Sequence, residues 1–333
     1  MPSLIRHKNG IYYVVSTDKG KRIWRSLRTK NRRQTYQVFL ERNPAEVEQQ
    51  ALCLQEAENQ YLDYVSTNFS PTTVNVYRNI SSQFNKFIGN PRINEITIRD
   101  IELYKSSRIR TVSPSTVNHE LRGHKAFFNR LVIWDLLPRS PMNGVKTIRI
   151  TEKTRPYLSK EELQRLLDYT SGTPLHDIIL LTVMTGLRRG ELINLTWEDI
   201  DFARGTILVR SRKNHQTKAG KKRVLPMNTT ARILLGQMKG RQGRLFSGER
   251  GGLLNGNLLR ARFKRTVRAC GLDSRLHFHS LRHTFASLLV KEGVSLYHVQ
   301  KLLGHSSPRV TEIYAHLGGA ELLGSVEKLC NER

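Results

Sequence analysis

Between Leu276 and Leu317 the chain reads LHFHSLRHTFASLLVKEGVSLYHVQKLLGHSSPRVTEIYAHL. His279 and Arg282 stand three apart, His305 sits in a Gly-His-Ser turn, and Tyr314 follows nine residues later. These types make a nucleophile surrounded by groups suited to a phosphate. A phenol has an intrinsic pKa near ~10, so it attacks poorly until cations lower that cost or a base takes its proton. His279 can accept that proton or donate to an arginine-held oxygen, and His305 can hydrogen-bond a nonbridging oxygen. Upstream, TGLRRGEL supplies Arg188, with Glu191 three residues on to orient its guanidinium. A lone Arg–Glu pair also reads as structural glue. The second arginine, Arg282, changes that weighting, because two guanidiniums can fork onto one phosphate and stabilise the charge that develops there.

Attack on a phosphodiester by a phenolic oxygen gives a phosphotyrosyl bond of similar energy, so the break can be resealed to a different strand without ATP. The leaving 5′ oxygen needs a proton. From Arg210 to Arg223 there are seven Lys or Arg and no acid, and Lys218 is the natural general acid in that run. The bland reading of the run is a phosphate-binding loop, in which Lys221, Lys222 and Arg223 are contacts alone. Composition does not choose among the lysines. No carboxylate cluster suited to two metals is evident, and a reaction without metal or cofactor fits the residue set better.

The elements that must position these groups follow from patterning. The chain has 333 residues, which suits two or three domains. Lys plus Arg total 55 against 28 acids, a formal charge of +27 that points to a polyanionic partner, nucleic acid before membrane. No apolar run is long enough to span a bilayer, and the N-terminus lacks a signal-peptide pattern. Three cysteines without CxxC spacing fit a reducing cytoplasm.

Residues 1 to 60 begin with a hairpin, IYYVV and KRIWRSL around TDKG, with ten Lys or Arg and one acid from Met1 to Arg33. Two readings stand: a small sheet presenting Lys21, Arg22, Arg25, Arg28, Lys30, Arg32 and Arg33 to DNA, or a basic appendage whose aromatics form their own core. A helix is predicted over Pro44 to Tyr64. Residues 65 to 145 read as helical, with starts at Ser70-Pro71 and Ser113-Pro114 and a short helix from Thr97. Val74, Tyr77, Ile80, Phe84, Phe87, Phe127, Phe128, Leu131 and Trp134 form apolar stripes. Arg78, Lys86, Arg122, Lys125 and Arg130 lie on polar faces available to phosphates. Pro138 to Pro156 reads as a linker. Residues 155 to 333 read as a second large domain: a Ser159/Glu162 capping box, one long apolar helix over LHDIILLTVMTGLRRGELINL, strands at Thr206–Arg210 and from Arg223, and further helices. A terminal helix after Gly318-Gly319 carries Leu322, Leu323, Val326 and Leu329 for docking on its own domain or a neighbour's.

TGLRRGEL, TKAGKKRVLP, HSLRH, LLGHSS and VTEIYAHL, in this order and spacing, resemble the motifs of the tyrosine recombinases, the phage integrase and Xer-like site-specific recombinases. The resemblance implies Arg188, Lys218, His279, Arg282, His305 and Tyr314 as catalytic residues, Glu191 as support, and a 3′-phosphotyrosyl intermediate with a free 5′-hydroxyl. It implies a multidomain fold: a small N-terminal α+β domain, an all-helical core-binding domain and a mainly helical catalytic domain with a small antiparallel β-sheet. It further implies double-stranded DNA with specific recombination sites, a homotetramer on two duplexes exchanging strands through a Holliday junction, and accessory DNA-bending proteins. KRIWRSLRTKNRR resembles an arm-type DNA-binding domain, which favours an element-encoded integrase. A type IB topoisomerase and a non-catalytic DNA-binding descendant are the competing readings.

Overall fold

The computed structural model describes residues 3–18, 21–31, 51–150, 155–210, 222–238, 242–248 and 252–317. The expected phosphate contacts Arg32, Arg33 and Lys221, the general-acid candidate Lys218 and the terminal helix lie outside the described residues. The chain divides into two compact units, Met1–Glu152 and Lys153–Arg333.

The first unit opens with an antiparallel sheet of β1 (Ser3–Arg6), β2 (Tyr12–Asp18) and β3 (Lys21–Ser26), in the order β1-β2-β3. The predicted hairpin is β2–β3, with Tyr13 opposite Ser26 and Asp18 opposite Lys21. β1 adds a strand that alternation had not marked. Trp24 and Tyr13 meet edge to face, and His7 joins them, so the aromatics pack on one another. Lys21, Arg22, Arg25, Arg28 and Lys30 are all exposed.

Four helices follow: α1 (Leu54–Asn68), α2 (Pro71–Ile88), α3 (Ile98–Arg108) and α4 (Pro114–Ile133). Each of the two Ser-Pro starts works as expected: Ser70 and Ser113 accept from the backbone N–H of Thr73 and Thr116, and proline fills the first helical position, where no donor is needed. α1 buries Leu54, Ala57, Tyr61 and Val65 in the same core as Phe84, Phe127, Phe128 and Leu131. The helical bundle therefore begins at Leu54, before the expected boundary at 65. The aromatic stripes are core, as their spacing implied, except that Phe87 at the end of α2 is exposed. The stretch read as a linker is packed as far as Ile148: Asn118 donates from Nδ2 to the Ile148 carbonyl and accepts the Ile148 N–H, both at 2.8 Å. Pro and Gly mark turns there, and an amide on a neighbouring helix satisfies the backbone that they leave unpaired. Lys125 is exposed on α4, whereas Arg130 lies over the Tyr64 ring and donates to its hydroxyl.

In the second unit α5 (Lys160–Thr170) starts at the predicted capping box, with Ser159 and Glu162 bonded reciprocally. The long apolar helix is two. α6 (Pro174–Thr185) stops at Gly186, and a short α7 (Arg189–Ile193) restarts with Arg188 as its N-cap. Gly186 has φ +63°, and a Cβ there would meet Phe285 at 2.4 Å, so glycine both turns the chain and admits the neighbouring helix. An antiparallel sheet of β4 (Ile200–Asp201), β5 (Thr206–Val209) and β6 (Arg223–Pro226) follows. Then come α8 (Thr229–Gln237), α9 (Gly256–Ala269), α10 (Ser280–Lys291), α11 (Leu296–Leu303) and 3-10 turns at Pro308–Val310 and Glu312–Leu317. The main core runs from Leu158 and Leu166 through Ile179, Leu235 and Phe263 to Leu281. Tyr314 joins a second cluster with Ala286, Val290, Val299 and Leu303. Among the described residues no helix is long and apolar enough to cross a membrane.

Candidate active site of the second unit

The two arginines that the sequence singled out meet at one turn. Arg282, on α10, is 2% exposed and donates from Nη1 to the Gly186 carbonyl at 2.7 Å and from Nη2 to the Leu303 carbonyl at 2.6 Å. Arg188 donates from Nη2 to the next carbonyl, that of Gly304, at 3.2 Å. Adjacent carbonyls thus hold both guanidiniums side by side. Gly304 ends α11 at φ +63°, and a Cβ on it would press within 2.8 Å of the Arg223 side chain. Two like charges this close cost free energy unless an acid offsets them. Burial and the Arg188 charge together push the Arg282 guanidinium down to about 9.

Glu191 supplies the offset. Its carboxylate accepts from Arg188 Nη1 at 2.9 Å and takes both Nη atoms of Arg223, at 2.8 and 2.7 Å. Burial raises a carboxyl, but here the hydrogen bonds and charge of Arg223 and Arg188 outweigh it and hold Glu191 at about 2. Arg223 was expected on DNA; instead its guanidinium forks on Glu191 and its Nε donates to the Leu302 carbonyl. Position next to a basic loop suggested a phosphate contact, but β6 turns the side chain inward. Lys222, one residue earlier, is exposed.

His305 follows Gly304 directly, and its Nδ1 pairs with Thr311 Oγ1 at 2.8 Å. Burial, then the charges of Arg282 and Arg188, push its imidazole down to about 4. His279 caps α10 and is exposed; partial desolvation and the Arg282 charge behind it lower its imidazole as well. Both rings are therefore neutral at pH 7, each able to donate one N–H.

Tyr314 is 3% exposed, and burial raises its phenol to about 12. Its hydroxyl meets His283 Nδ1 at 2.5 Å, not His279, which the sequence had offered as its proton acceptor. His283 was missed, although HSLRH places His279 and His283 one helical turn apart; their rings meet edge to face at 4.9 Å. Arg155 was also missed. It is exposed, precedes the Leu158 N–H that bonds Thr284 Oγ1 on α10, and its charge acts on His277, His279, His283 and Tyr314. The arrangement offers paired guanidiniums, neutral imidazole donors and a phenol along one helix and the turn that faces it.

This architecture matches known proteins. The phage integrase family model covers residues 156–320, and that of the phage integrase N-terminal SAM-like domain covers 57–136. Tyrosine recombinase XerC of Oceanobacillus iheyensis is 32% identical over 275 residues, 76% of this chain and 88% of that protein. XerC of Bacillus subtilis is 28% identical over 274 residues, again 76% and 88%. A lambda integrase dimer bound to a COC′ core site shares the fold with a TM-score of 0.71 at 20% identity, over 94% of each chain. The Tn1549 transposon integrase in complex with a circular intermediate DNA gives 0.68 at 20% identity, over 78% of this chain and 94% of that one. Fold and sequence thus define a DNA strand-exchange enzyme of the integrase type. The chain belongs to the tyrosine recombinase family.

Proposed function

We propose that this chain is a site-specific recombinase in which Tyr314 attacks a scissile DNA phosphate, leaving a 3′-phosphotyrosyl bond and a free 5′-hydroxyl. The observation that carries the reading is the pairing of Arg188 and Arg282 on the neighbouring carbonyls of Gly304 and Leu303. Two guanidiniums fixed beforehand hold the nonbridging oxygens and stabilise the charge that grows on them. His279 and His305 donate to the same oxygens as neutral imidazoles. Lys218 delivers the proton to the 5′ oxygen. Glu191 keeps the arginines charged and in place. The bonds broken and formed are both phosphoester bonds, so the second half of the reaction is the reverse of the first on a new strand.

The protein acts on double-stranded DNA as a homotetramer that holds two duplexes, passing through a Holliday junction. A lambda integrase tetramer bound to a Holliday junction has this fold, with a TM-score of 0.68 at 20% identity over 92% of this chain. The helical bundle that begins at Leu54 and runs to about residue 145 is the core-binding domain, with Lys125 on its exposed face, and 155–333 is the catalytic domain. The residues before Leu54 are an arm-type domain that binds accessory sites through Lys21, Arg22, Arg25, Arg28 and Lys30. Likeness to lambda integrase covers 94% of the chain for the dimer but 77% for the 75–356 fragment, which fits a shared N-terminal part. An arm favours an integrase encoded by a mobile element and working in the cytoplasm on the nucleoid, helped by DNA-bending proteins.

A duplex nicked near the scissile position tests this. Presented with candidate attachment sites, without metal or ATP, the protein is expected to trap a covalent adduct on Tyr314 through a 3′ phosphate. Tight specific binding with no adduct would return the chain to the non-catalytic class. Relaxation of supercoils by a monomer, with no need for paired sites, would favour a type IB topoisomerase.

A further inference from the structure

We propose that His283 is a positioning residue for the nucleophile: its Nδ1 holds the Tyr314 hydroxyl in a covered resting pose, which the phenol leaves before it meets a phosphate. The inference rests on the reading of Tyr314 as the nucleophile. Three observations carry it. The contact is short, 2.5 Å, and both partners are almost fully enclosed, His283 at 4% and Tyr314 at 3% exposure. A hydroxyl enclosed in this way offers no approach to the phosphodiester of a duplex. The tyrosine ring is seated among Ala286, Val290, Val299 and Leu303, so apolar packing brings the phenol to α10 while His283 supplies its polar partner. Finally, Arg282 and His283 are consecutive on α10, and successive helical side chains leave the axis about 100° apart. Arg282 reaches the carbonyls of Gly186 and Leu303, and His283 reaches Tyr314, so the groups for phosphate and for tyrosine leave the helix on different faces.

The contact is a neutral hydrogen bond rather than base catalysis. Burial raises the phenol to about 12 and lowers the His283 imidazole to about 3, the latter helped by His279 and Arg155. The proton therefore stays on the phenol, and we assign His283 the Nε2–H tautomer, in which Nδ1 accepts the hydrogen bond that the hydroxyl donates. When the hydroxyl leaves, it leaves protonated, and the proton must be taken within the phosphate site.

Two substitutions in the full-length protein separate the hydrogen bond from packing. His283→Phe keeps a packed aromatic ring, somewhat larger than the imidazole, and removes the acceptor. His283→Asn keeps an acceptor near Nδ1 and leaves a gap. Two readouts are taken: nitration of Tyr314 by tetranitromethane in the DNA-free protein, mapped by peptide mass, and the rate of adduct formation on the nicked duplex. A neutral buried hydrogen bond is worth roughly 1 kcal/mol, which is about fivefold in a population. His283→Phe is expected to raise both rates roughly fivefold, with His283→Asn close to the wild type. The reverse order, with the Asn variant fast and the Phe variant slow, would mean that packing alone seats the tyrosine and overturns the proposal. So would two variants indistinguishable from wild type, or faster nitration with slower adduct formation in His283→Phe, which would make the contact part of the attacking geometry. If His283→Phe does not fold, His283→Leu takes its place. Should the wild type form no adduct on any duplex, the recombinase reading fails, while nitration still decides whether His283 holds Tyr314.

Discussion

Glu120 in the first unit and Glu191 in the second are both buried glutamates gripped by arginine forks. Glu120 takes Arg108 Nε at 2.9 Å and Nη2 at 2.6 Å, with the Tyr104 hydroxyl closing the set at 2.8 Å. Arg108 Nε and Nη2 and the Tyr104 hydroxyl end on the one carboxylate, Arg108 Nη1 is taken by Thr111 Oγ1, and His124 beside the carboxylate is enclosed by Phe84 and Tyr104 with Nε2 unpartnered. Glu191 has two arginines on it, and a third, Arg282, stands on backbone carbonyls close by. The residue types are the same: Glu, Arg, Tyr and His. What differs is the surplus of positive charge. One acid for one arginine makes a closed structural knot, whereas one acid among three arginines leaves cationic capacity for an anion.

Substitutions in pairs can break that comparison. The largest contrast is expected for the tyrosines. Tyr314→Phe should abolish the covalent adduct with DNA affinity retained, while Tyr104→Phe should leave the adduct rate unchanged and cost about 1 kcal/mol in urea unfolding. Adduct formation in Tyr314→Phe would remove it as the nucleophile. Next come the arginines. Arg188→Gln or Arg282→Gln should slow single-turnover cleavage on the order of 10²–10³-fold, the usual scale for losing one fixed donor to a developing charge. Arg108→Gln should leave cleavage alone and lower the unfolding midpoint, because it strands a buried carboxylate. Equal cleavage losses in both units would erase the distinction.

The glutamates are expected to differ less. Glu120→Gln and Glu191→Gln should each destabilise by about 3 kcal/mol, the low end for losing one partner of a buried pair. Only Glu191→Gln should also slow cleavage, since Arg188 then lacks its lateral support. The effect confined to the narrowest conditions concerns pH. Burial lowers His124 to about 4, so the unfolded chain binds a proton between about 6.5 and 4 that the folded chain refuses. Stability of the helical unit should therefore fall as pH drops through that window, by no more than about 3 kcal/mol. His124→Phe should flatten the decline in denaturant melts. The carboxylates do not share this window. Glu191, held at about 2, contributes stability that is present above the ordinary glutamate range and lost as pH falls through about 2.

Helix starts were legible because they depend on neighbours in the chain: Ser70-Pro71, Ser113-Pro114 and the Ser159/Glu162 box all cap as read. Arg188, Glu191, Arg282, His305 and Tyr314 were legible as types and order. The break in the apolar run was not. The long-helix reading ran straight through Gly186, and the reason that the helix stops there lies in Phe285, 99 residues further along. The direction of Arg223 was likewise hidden, since a basic residue after a basic loop reads as a DNA contact until a strand register turns it toward Glu191. His283 was overlooked for a different reason. Its spacing from His279 was visible, but a histidine on an apolar helix face is more often core than site.

The sequence by itself determined the class, the chemistry on offer and the local caps, because charge excess, motif order and capping depend on composition and short-range spacing. Tertiary structure alone decided which groups meet. Arg188 and Arg282 come together because Gly186 and Gly304 turn the chain in the left-handed region and expose carbonyls to them. Tyr314 comes to rest on His283 because a cluster of aliphatic side chains seats its ring there. Contacts between residues 31 to 116 positions apart are set by packing, and no short window of the chain contains that information.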